Sequence, residues 1–268
     1  MQRRPIGIFD SGLGGLTAVR EISKLLPNED IVYFGDTGRV PYGTRSKETI
    51  IRYTRQNIRF LKSFNIKALL IACGTASSAA LPEVCCDEDF PIIGVVESAA
   101  KKAVMSTKSK RIGIIGTKAT VRSGAYEKVI KELNDEIYTV SVPCPLFVPL
   151  VENGRVSPDD RILKLAVEEY LTPVLNAQVD TLILGCTHYP IIAEAIGDFM
   201  GKHVTLINPG AEAARYLSTL DEISFSDGAP VTSRFFVSDD AEGFSRQASL
   251  FLGREIGADV ELVNIEKF

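Results

Sequence analysis

The sequence lacks the features that mark several large classes of protein. No apolar run approaches the roughly 20 residues that a membrane-spanning helix needs. No tract of lysines and arginines is present that could follow a phosphate backbone, and the formal net charge is −4. These absences argue against a membrane protein and against direct binding of nucleic acid. Hydrophobic residues make up 45% of the 268 positions, so the chain can bury a sizeable core.

Motifs for common cofactors and metals are also missing. No G-x-x-x-x-G-K-[ST] phosphate-binding loop occurs, and Thr17 stands where a dinucleotide-binding G-x-G-x-x-G would have its third glycine. The chain has two histidines, His188 and His203, and no C-x-x-C pair. The sequence therefore predicts no metal site and gives little support to a dinucleotide site.

The cysteine count is odd, which argues against a disulfide framework. The five cysteines are Cys73, Cys85, Cys86, Cys144 and Cys186. The first residues, MQRRPIGIFDSG, contain two arginines but no long apolar core of the kind that a secretory signal has. We therefore expect free thiols in a reducing compartment and a cytoplasmic protein.

Short apolar runs alternate with longer helical patterns along the chain. Near-continuous apolar runs are typical of strands that are covered on both faces, as in parallel sheets. Helices are predicted at 46–64, with Ser46 as N-cap, and at 158–175, with Ser157 as N-cap. The alternation predicts an α/β fold. The candidate strands are 5–9, 31–34, 68–72, 91–95, 111–116, 138–142, 181–185, 204–208, 233–238 and 260–264.

The two halves of the chain resemble each other. RPIGIFDSG near the start is similar to KRIGIIGTK near residue 110, and ALLIACGTAS at 68–77 is similar to TLILGCTHYP at 181–190. This predicts two pseudo-symmetric α/β domains with largely parallel sheets and an active site in the cleft between them. The predicted first domain is 1–97 completed by 208–268, and the predicted second domain is 98–207.

Cys73 and Cys186 each follow a predicted strand and precede a predicted helix. A helix N-terminus favours a thiolate, so we expect the pKa of both thiols to lie below the ordinary value of about 8.5. The other three cysteines are interpreted as packing residues, because free cysteine is often a small buried hydrophobe. A cysteine protease would use one cysteine and His188 but would leave the second strand–cysteine element without a role.

Two thiols that face each other across a substrate suit a different reaction. Inverting a carbon centre requires one group to remove a proton from one face and another group to return a proton to the opposite face. One cysteine must then be a thiolate while the other is a thiol. Two similar halves would supply this arrangement.

With these motifs the sequence resembles the glutamate racemases, which are cofactor-independent and supply D-glutamate for the bacterial cell wall. The resemblance spans nearly the whole chain. It rests on GIFDSGLGGLTAVREI, YFGDTGRVPYG, LLIACGTASS, IGIIGTKATVRSGAY and LILGCTHYP. It implies a small-molecule substrate, no pyridoxal cofactor and a possible homodimer.

The resemblance also implies roles for individual residues. Cys73 and Cys186 would be the two proton donors and acceptors, with Asp10 assisting Cys73, and with His188, backed by Glu152, assisting Cys186. The substrate would be lined by Asp10, Ser11, Pro41, Tyr42, Gly43, Gly74, Thr75, Thr117, Thr120, Thr187 and His188. From the residues alone, the threonines are equally suited to capping helices and Tyr42 to packing.

One position departs from the family pattern. The family motif usually reads A-C-N-T-A, and its asparagine contacts substrate, whereas this chain has Gly74 there. The missing hydrogen-bond capacity would be worth about 1–3 kcal/mol if a charged partner were left unpaired. A water molecule or the backbone N–H of Gly74 would have to replace it, so we expect altered affinity or selectivity.

Two other functions are compatible with these residues. A racemase for aspartate or another acidic compound would use the same scaffold. A regulatory binding protein is the second alternative, because some relatives inhibit DNA gyrase. The acidic net charge means that such a role would act through protein contact. Retention of both cysteines and His188 disfavours a purely binding role.

Overall fold

The computed structural model describes residues 4–86, 88–220, 223, 231–256 and 259–268. All ten predicted strands are present, each within two residues of its predicted ends. They are β1 (Ile6–Asp10), β2 (Ile31–Gly35), β3 (Ala68–Ile71), β4 (Ile92–Gly94), β5 (Arg111–Gly116), β6 (Tyr138–Pro143), β7 (Thr181–Gly185), β8 (Thr205–Ile207), β9 (Ser233–Val237) and β10 (Val260–Leu262).

Helices connect most of the strands and cover the sheets. The helices are α1 (Leu16–Leu25), α2 (Lys47–Lys62), α3 (Gly74–Ala79), α4 (Leu81–Val84), α5 (Val95–Ser106), α6 (Lys118–Ser123), α7 (Ala125–Leu133), α8 (Phe147–Glu152), α9 (Arg161–Asn176), α10 (Ala193–Met200), α11 (Pro209–Ser218) and α12 (Ala241–Leu252). Short 3₁₀ segments lie at Thr37–Arg39, Tyr42–Thr44, Tyr189–Ile192 and Ile265–Lys267. In the described part of the chain, no helix combines the length and the apolar character needed to cross a membrane.

The strands form two parallel sheets, which confirms the predicted fold class. The first sheet has the order β10-β9-β2-β1-β3-β4, and the second has the order β6-β5-β7-β8. The order β2-β1-β3-β4 within the first sheet repeats as β6-β5-β7-β8 in the second. The pseudo-symmetry is therefore topological: β3, which precedes Cys73, is equivalent to β7, which precedes Cys186.

The two predicted helix starts have different outcomes. Ser46 caps α2 as predicted, and its hydroxyl accepts the N–H of Thr49. The helix predicted at 158–175 instead begins at Arg161, so the assignment of Ser157 as its cap was wrong. Asp160 is the cap, because its carboxylate accepts two N–H groups of the first turn and also places negative charge at the positive end of the helix dipole.

The C-terminal strands extend the first sheet, because β9 pairs with β2. Of the two predicted domain limits, residue 97 falls inside α5, and Asn208 is the N-cap of α11. Helix α5 contacts both α11 and α7. The domain boundaries themselves stay a prediction.

Candidate active site

A cavity of about 440 Å³ lies where β1, β3, β5 and β7 end. This volume is within the usual range for small-molecule sites. The carboxyl ends of parallel strands are also where open α/β sheets bind ligands. The predicted site residues that line it are Ser11, Pro41, Tyr42, Gly43, Cys73, Gly74, Thr75, Thr117, Glu152, Cys186, Thr187 and His188.

Cys73 is the N-cap of α3 and is buried. Its sulfur lies 3.5 Å from the hydroxyl oxygen of Ser11 and accepts the N–H of Ala76 at 3.5 Å. Burial, followed by the negative charge of Asp10, raises the pKa of the Cys73 thiol to about 12. The N–H of Ala76 at the helix start lowers this pKa as predicted, but the prediction that the pKa lies below its ordinary value was wrong. Helix α3 has six residues, and its N-terminus does not outweigh burial and a neighbouring carboxylate.

Asp10 ends β1 and lies behind the cavity wall, with 1% of its surface exposed. One carboxylate oxygen accepts the N–H of Gly12 at 2.9 Å. The other has no hydrogen-bond partner among the described residues. Burial raises the pKa of Asp10, although attraction to His188 opposes this. Asp10 is thus placed to act on Cys73 electrostatically, with one oxygen available as an acceptor.

Cys186 has a different set of neighbours. Its sulfur lies 3.9 Å from Nδ1 of His188, and Nε2 of the same ring lies 3.0 Å from a carboxylate oxygen of Glu152. Burial alone would lower the pKa of His188, but Cys186 and Glu152 raise it to about 10. A protonated His188 stabilises negative charge on the adjacent sulfur. Cys186 does not cap an α-helix, since α10 begins only at Ala193.

The glycine-rich loop after β1 packs against this second cysteine loop. A Cβ atom at Gly14 would overlap the Thr187 hydroxyl and would lie 2.5 Å from Nδ1 of His188. The hydroxyl of Thr17 donates to the carbonyl oxygen of Thr187 at 3.0 Å. DSGLGG therefore lets a loop of the first sheet approach the tip of the second, which explains its glycines without a nucleotide.

Three threonine hydroxyls form a cluster between the starts of α3 and α6. Thr117 lies 3.0 Å from Thr75 and 3.0 Å from Thr120. Thr117 also caps α6, because its hydroxyl accepts the N–H of Thr120. Thr75 and Thr117 line the cavity, whereas Thr120 lies behind them. Both interpretations of Thr117, as a cap and as a lining residue, therefore fit the geometry.

Tyr42 contributes its ring to the wall, but its hydroxyl is engaged elsewhere. It donates to the buried carboxylate of Asp36 and accepts from the side chain of Asn57 at 3.1 Å. Arg39 binds the same carboxylate and the oxygen of Asn57 at 2.9 Å. This network holds the wall segment that contains the cis Val40–Pro41 peptide bond.

The comparisons with known proteins agree with this geometry. A sequence profile of the Asp/Glu/hydantoin racemases matches residues 12–217. The glutamate racemase of Geobacter metallireducens is 45% identical over 269 residues, which cover 99% of this chain and 98% of that protein.

The chain belongs to the Asp/Glu/hydantoin racemase family.

Solved structures extend this similarity to three dimensions. Glutamate racemase isoform RacE1 from Bacillus anthracis superposes with a TM-score of 0.93 at 38% identity, with 98% of each chain covered. The glutamate racemase of Francisella tularensis, solved in complex with D-glutamate, has a TM-score of 0.91 at 38% identity, with 100% of each chain covered. The predictions of the family and of an enzyme of the amino-acid racemase class are confirmed.

The cavity wall also contains residues that were not predicted from the sequence. Lys118 directly follows Thr117 and, among the described residues, is the one lysine or arginine that lines the cavity. Its position just after the end of β5 could have identified it from the sequence as a residue of the site. Cys144, interpreted as a packing residue, borders the cavity too, yet it is fully buried and its carbonyl oxygen accepts the hydroxyl of Tyr189 at 2.9 Å.

Proposed function

We propose that the protein is a glutamate racemase that moves the α-proton between two cysteines without a cofactor. The observation that carries this proposal is the placement of Cys73 and Cys186, which follow equivalent strands of different sheets and line one cavity. The relatives named glutamate racemase cover nearly the full chain and favour glutamate over aspartate as substrate.

The reaction needs one thiolate and one thiol at a time. The thiolate removes the α-proton and becomes a thiol, and the bonding electrons stay on the α-carbon and its carboxylate. The opposite thiol then gives its proton to the other face and becomes a thiolate. With a protonated His188 beside it, Cys186 is suited to be the thiolate in the free protein, and Cys73 is suited to be the thiol.

The carbanion intermediate requires electrostatic stabilisation, because an amino-acid α-proton is far less acidic than a thiol. Hydroxyls of Thr75, Thr117 and Thr187 line the cavity and can donate to a carboxylate that gains charge. Lys118 is suited to a second carboxylate of the substrate. These groups belong to the fold and need little reorganisation during the reaction.

The proposed role is the supply of D-glutamate for peptidoglycan synthesis in the cytoplasm. The identity to bacterial glutamate racemases over nearly the whole chain supports it. The proposed assembly is a homodimer.

The test is an optical assay. Purified protein with reductant, and without pyridoxal phosphate, is incubated with L-glutamate or L-aspartate, and the circular dichroism of the substrate is followed. We expect decay with glutamate, little decay with aspartate, and loss of decay in Cys73→Ser and Cys186→Ser. Cys86→Ser is the matched control, because Cys86 is exposed and outside the cavity.

Each other outcome has a definite meaning. Faster decay with aspartate would move the assignment to an aspartate racemase. Folded protein that leaves both substrates unchanged would contradict the proposed activity. Activity that survives either cysteine substitution would contradict the two-thiol mechanism.

A further inference from the structure

Position 74 lies at a close contact between the two cysteine loops. Gly74 directly follows Cys73, and Gly185 directly precedes Cys186. A Cβ atom on Gly74 would lie 2.6 Å from the carbonyl oxygen of Gly185. Cβ atoms essentially never approach other heavy atoms below 3.0 Å, so any side chain here would have to displace something.

The carbonyl oxygen of Gly185, which a side chain at position 74 would displace, cannot move alone. Gly185 ends β7, which is hydrogen-bonded between β5 and β8. A Cβ on Gly185 would in turn lie 2.6 Å from the carbonyl oxygen of Ile115 on β5, and a Cβ on Gly116 would lie 3.4 Å from the carbonyl oxygen of Gly185. Gly74, Gly116 and Gly185 thus form a contact of backbone on backbone. A side chain at 74 would push the Cys73 loop away from β7 as a whole.

We propose that Gly74 is a positioning residue that sets the separation of the two thiols across the substrate. This inference rests on the proposed two-thiol racemase. The glycine lets the loop of the first sheet contact the strand end of the second, which brings Cys73 and Cys186 toward each other. The lack of a side chain at position 74 therefore shapes the geometry of the site, in addition to removing a contact with the substrate.

The inference gives an unexpected result for the residue that is usual in the family. If position 74 served only to bind substrate, Gly74→Asn would improve KM and leave kcat unchanged or higher. If Gly74 sets the thiol separation, both Gly74→Asn and Gly74→Ala will lower kcat. A displacement near 1 Å can cost about 10²-fold in rate, and we expect a loss of this order with a small change in KM.

The experiment measures kcat and KM in both directions for the wild type, Gly74→Ala and Gly74→Asn, with melting temperatures to verify folding. Each protein is also run in D₂O, where solvent deuterium enters the α-position. Wider separation slows delivery from the far thiol more than removal by the near thiolate. The ratio of exchange in unreacted substrate to formation of the opposite enantiomer should therefore rise in both variants.

Gly197→Ala is the matched control, because a Cβ there would lie 3.7 Å from its nearest neighbour, Leu206, which is an ordinary contact. It should leave kcat and the exchange ratio unchanged. Gly74 variants with unchanged kcat and exchange ratio, in an active wild-type background, would overturn the inference and leave the proposed function intact. A Gly74→Ala protein that cannot fold would overturn it too, because the glycine would then serve folding. An inactive wild type would contradict the proposed function itself.

Discussion

The surroundings of Cys73 and of Cys186 differ although the two cysteines occupy equivalent positions in the fold. Cys73 has a carboxylate beside it from the neighbouring strand, because β1 ends at Asp10. The equivalent strand β5 ends at Gly116, and Cys186 instead has His188 from its own loop and Glu152 behind it. A negative neighbour keeps a proton on one thiol, and a positive neighbour favours loss of a proton from the other. Similar backbones thus carry opposite electrostatics.

The largest expected effect comes from removing either thiol. Cys73→Ser and Cys186→Ser should each lower racemisation by about 10³-fold, since a serine hydroxyl is a poor acid–base group at neutral pH. Each variant should still exchange the α-proton of one enantiomer only, and the two variants should select opposite enantiomers. Proton NMR in D₂O measures this. Exchange of the same enantiomer by both variants would contradict the opposed arrangement of the thiols.

Asp10→Asn should lower kcat by roughly 10²-fold. The same substitution should increase the reactivity of the Cys73 thiol. Loss of the negative charge removes a contribution that raises the pKa of Cys73. Alkylation of Cys73 by iodoacetamide in the free protein should therefore become faster, as mass spectrometry of its peptide would show. Asp198→Asn, at an exposed position of α10, is the control. An unchanged rate of alkylation would show that Asp10 does not control the reactivity of Cys73.

The histidine side of the comparison predicts a pH dependence. His188 has a pKa raised to about 10, so it keeps its proton below that pH and loses it above. Activity of the wild type should fall as the pH rises through about 10. In His188→Asn the fall of activity through about pH 10 should be absent, because the group that loses its proton there has been removed.

The remaining histidine offers a matched control for this profile. His203→Asn should reproduce the wild-type curve, since His203 is exposed and outside the cavity. A His188→Asn profile that superposes on the wild type would break the proposed link between His188 and Cys186.

The smallest effect is expected for Glu152→Gln. The Glu152 side chain is 42% exposed, so water can take over part of its hydrogen bond to His188. We expect a loss of at most about 10-fold in kcat, and an alkaline limb displaced below that of the wild type because the negative charge that supports the imidazolium is gone. Glu83→Gln, at a surface ion pair with Lys47, is the control. A loss as large as the roughly 10²-fold expected for Asp10→Asn would mean that Glu152 has a more direct role.

Local pattern was sufficient to predict the strands, and in part the site. Strands such as β5 and β7 are buried on both faces, so their apolar runs carry a strong signal. Rules for strand ends selected both cysteines. The start of α9 was missed because Ser157 and Asp160 are both good caps, and only the folded turn shows which of them meets the free N–H groups.

Properties that depend on neighbours distant in sequence could not be predicted in the same way. The pKa of Cys73 depends on burial and on Asp10, which is 63 positions away, and both outweigh the local helix start. The hydroxyl of Tyr42 is directed to Asp36 by a network that also contains Asn57 and Arg39. The sequence does not distinguish Lys118 from an ordinary surface lysine, because its neighbouring cavity is formed by segments distant in sequence.

By itself, the sequence determined the α/β architecture, the family and the candidate residues of the site, because apolar periodicity and short motifs are local properties of the chain. The tertiary structure decided which thiol has a cationic neighbour and which has an anionic one. It also decided that Gly74 contacts Gly185, a meeting of two segments more than 100 residues apart. Electrostatic and steric effects act through space over a few ångströms, so they appear only once the two sheets have been brought together.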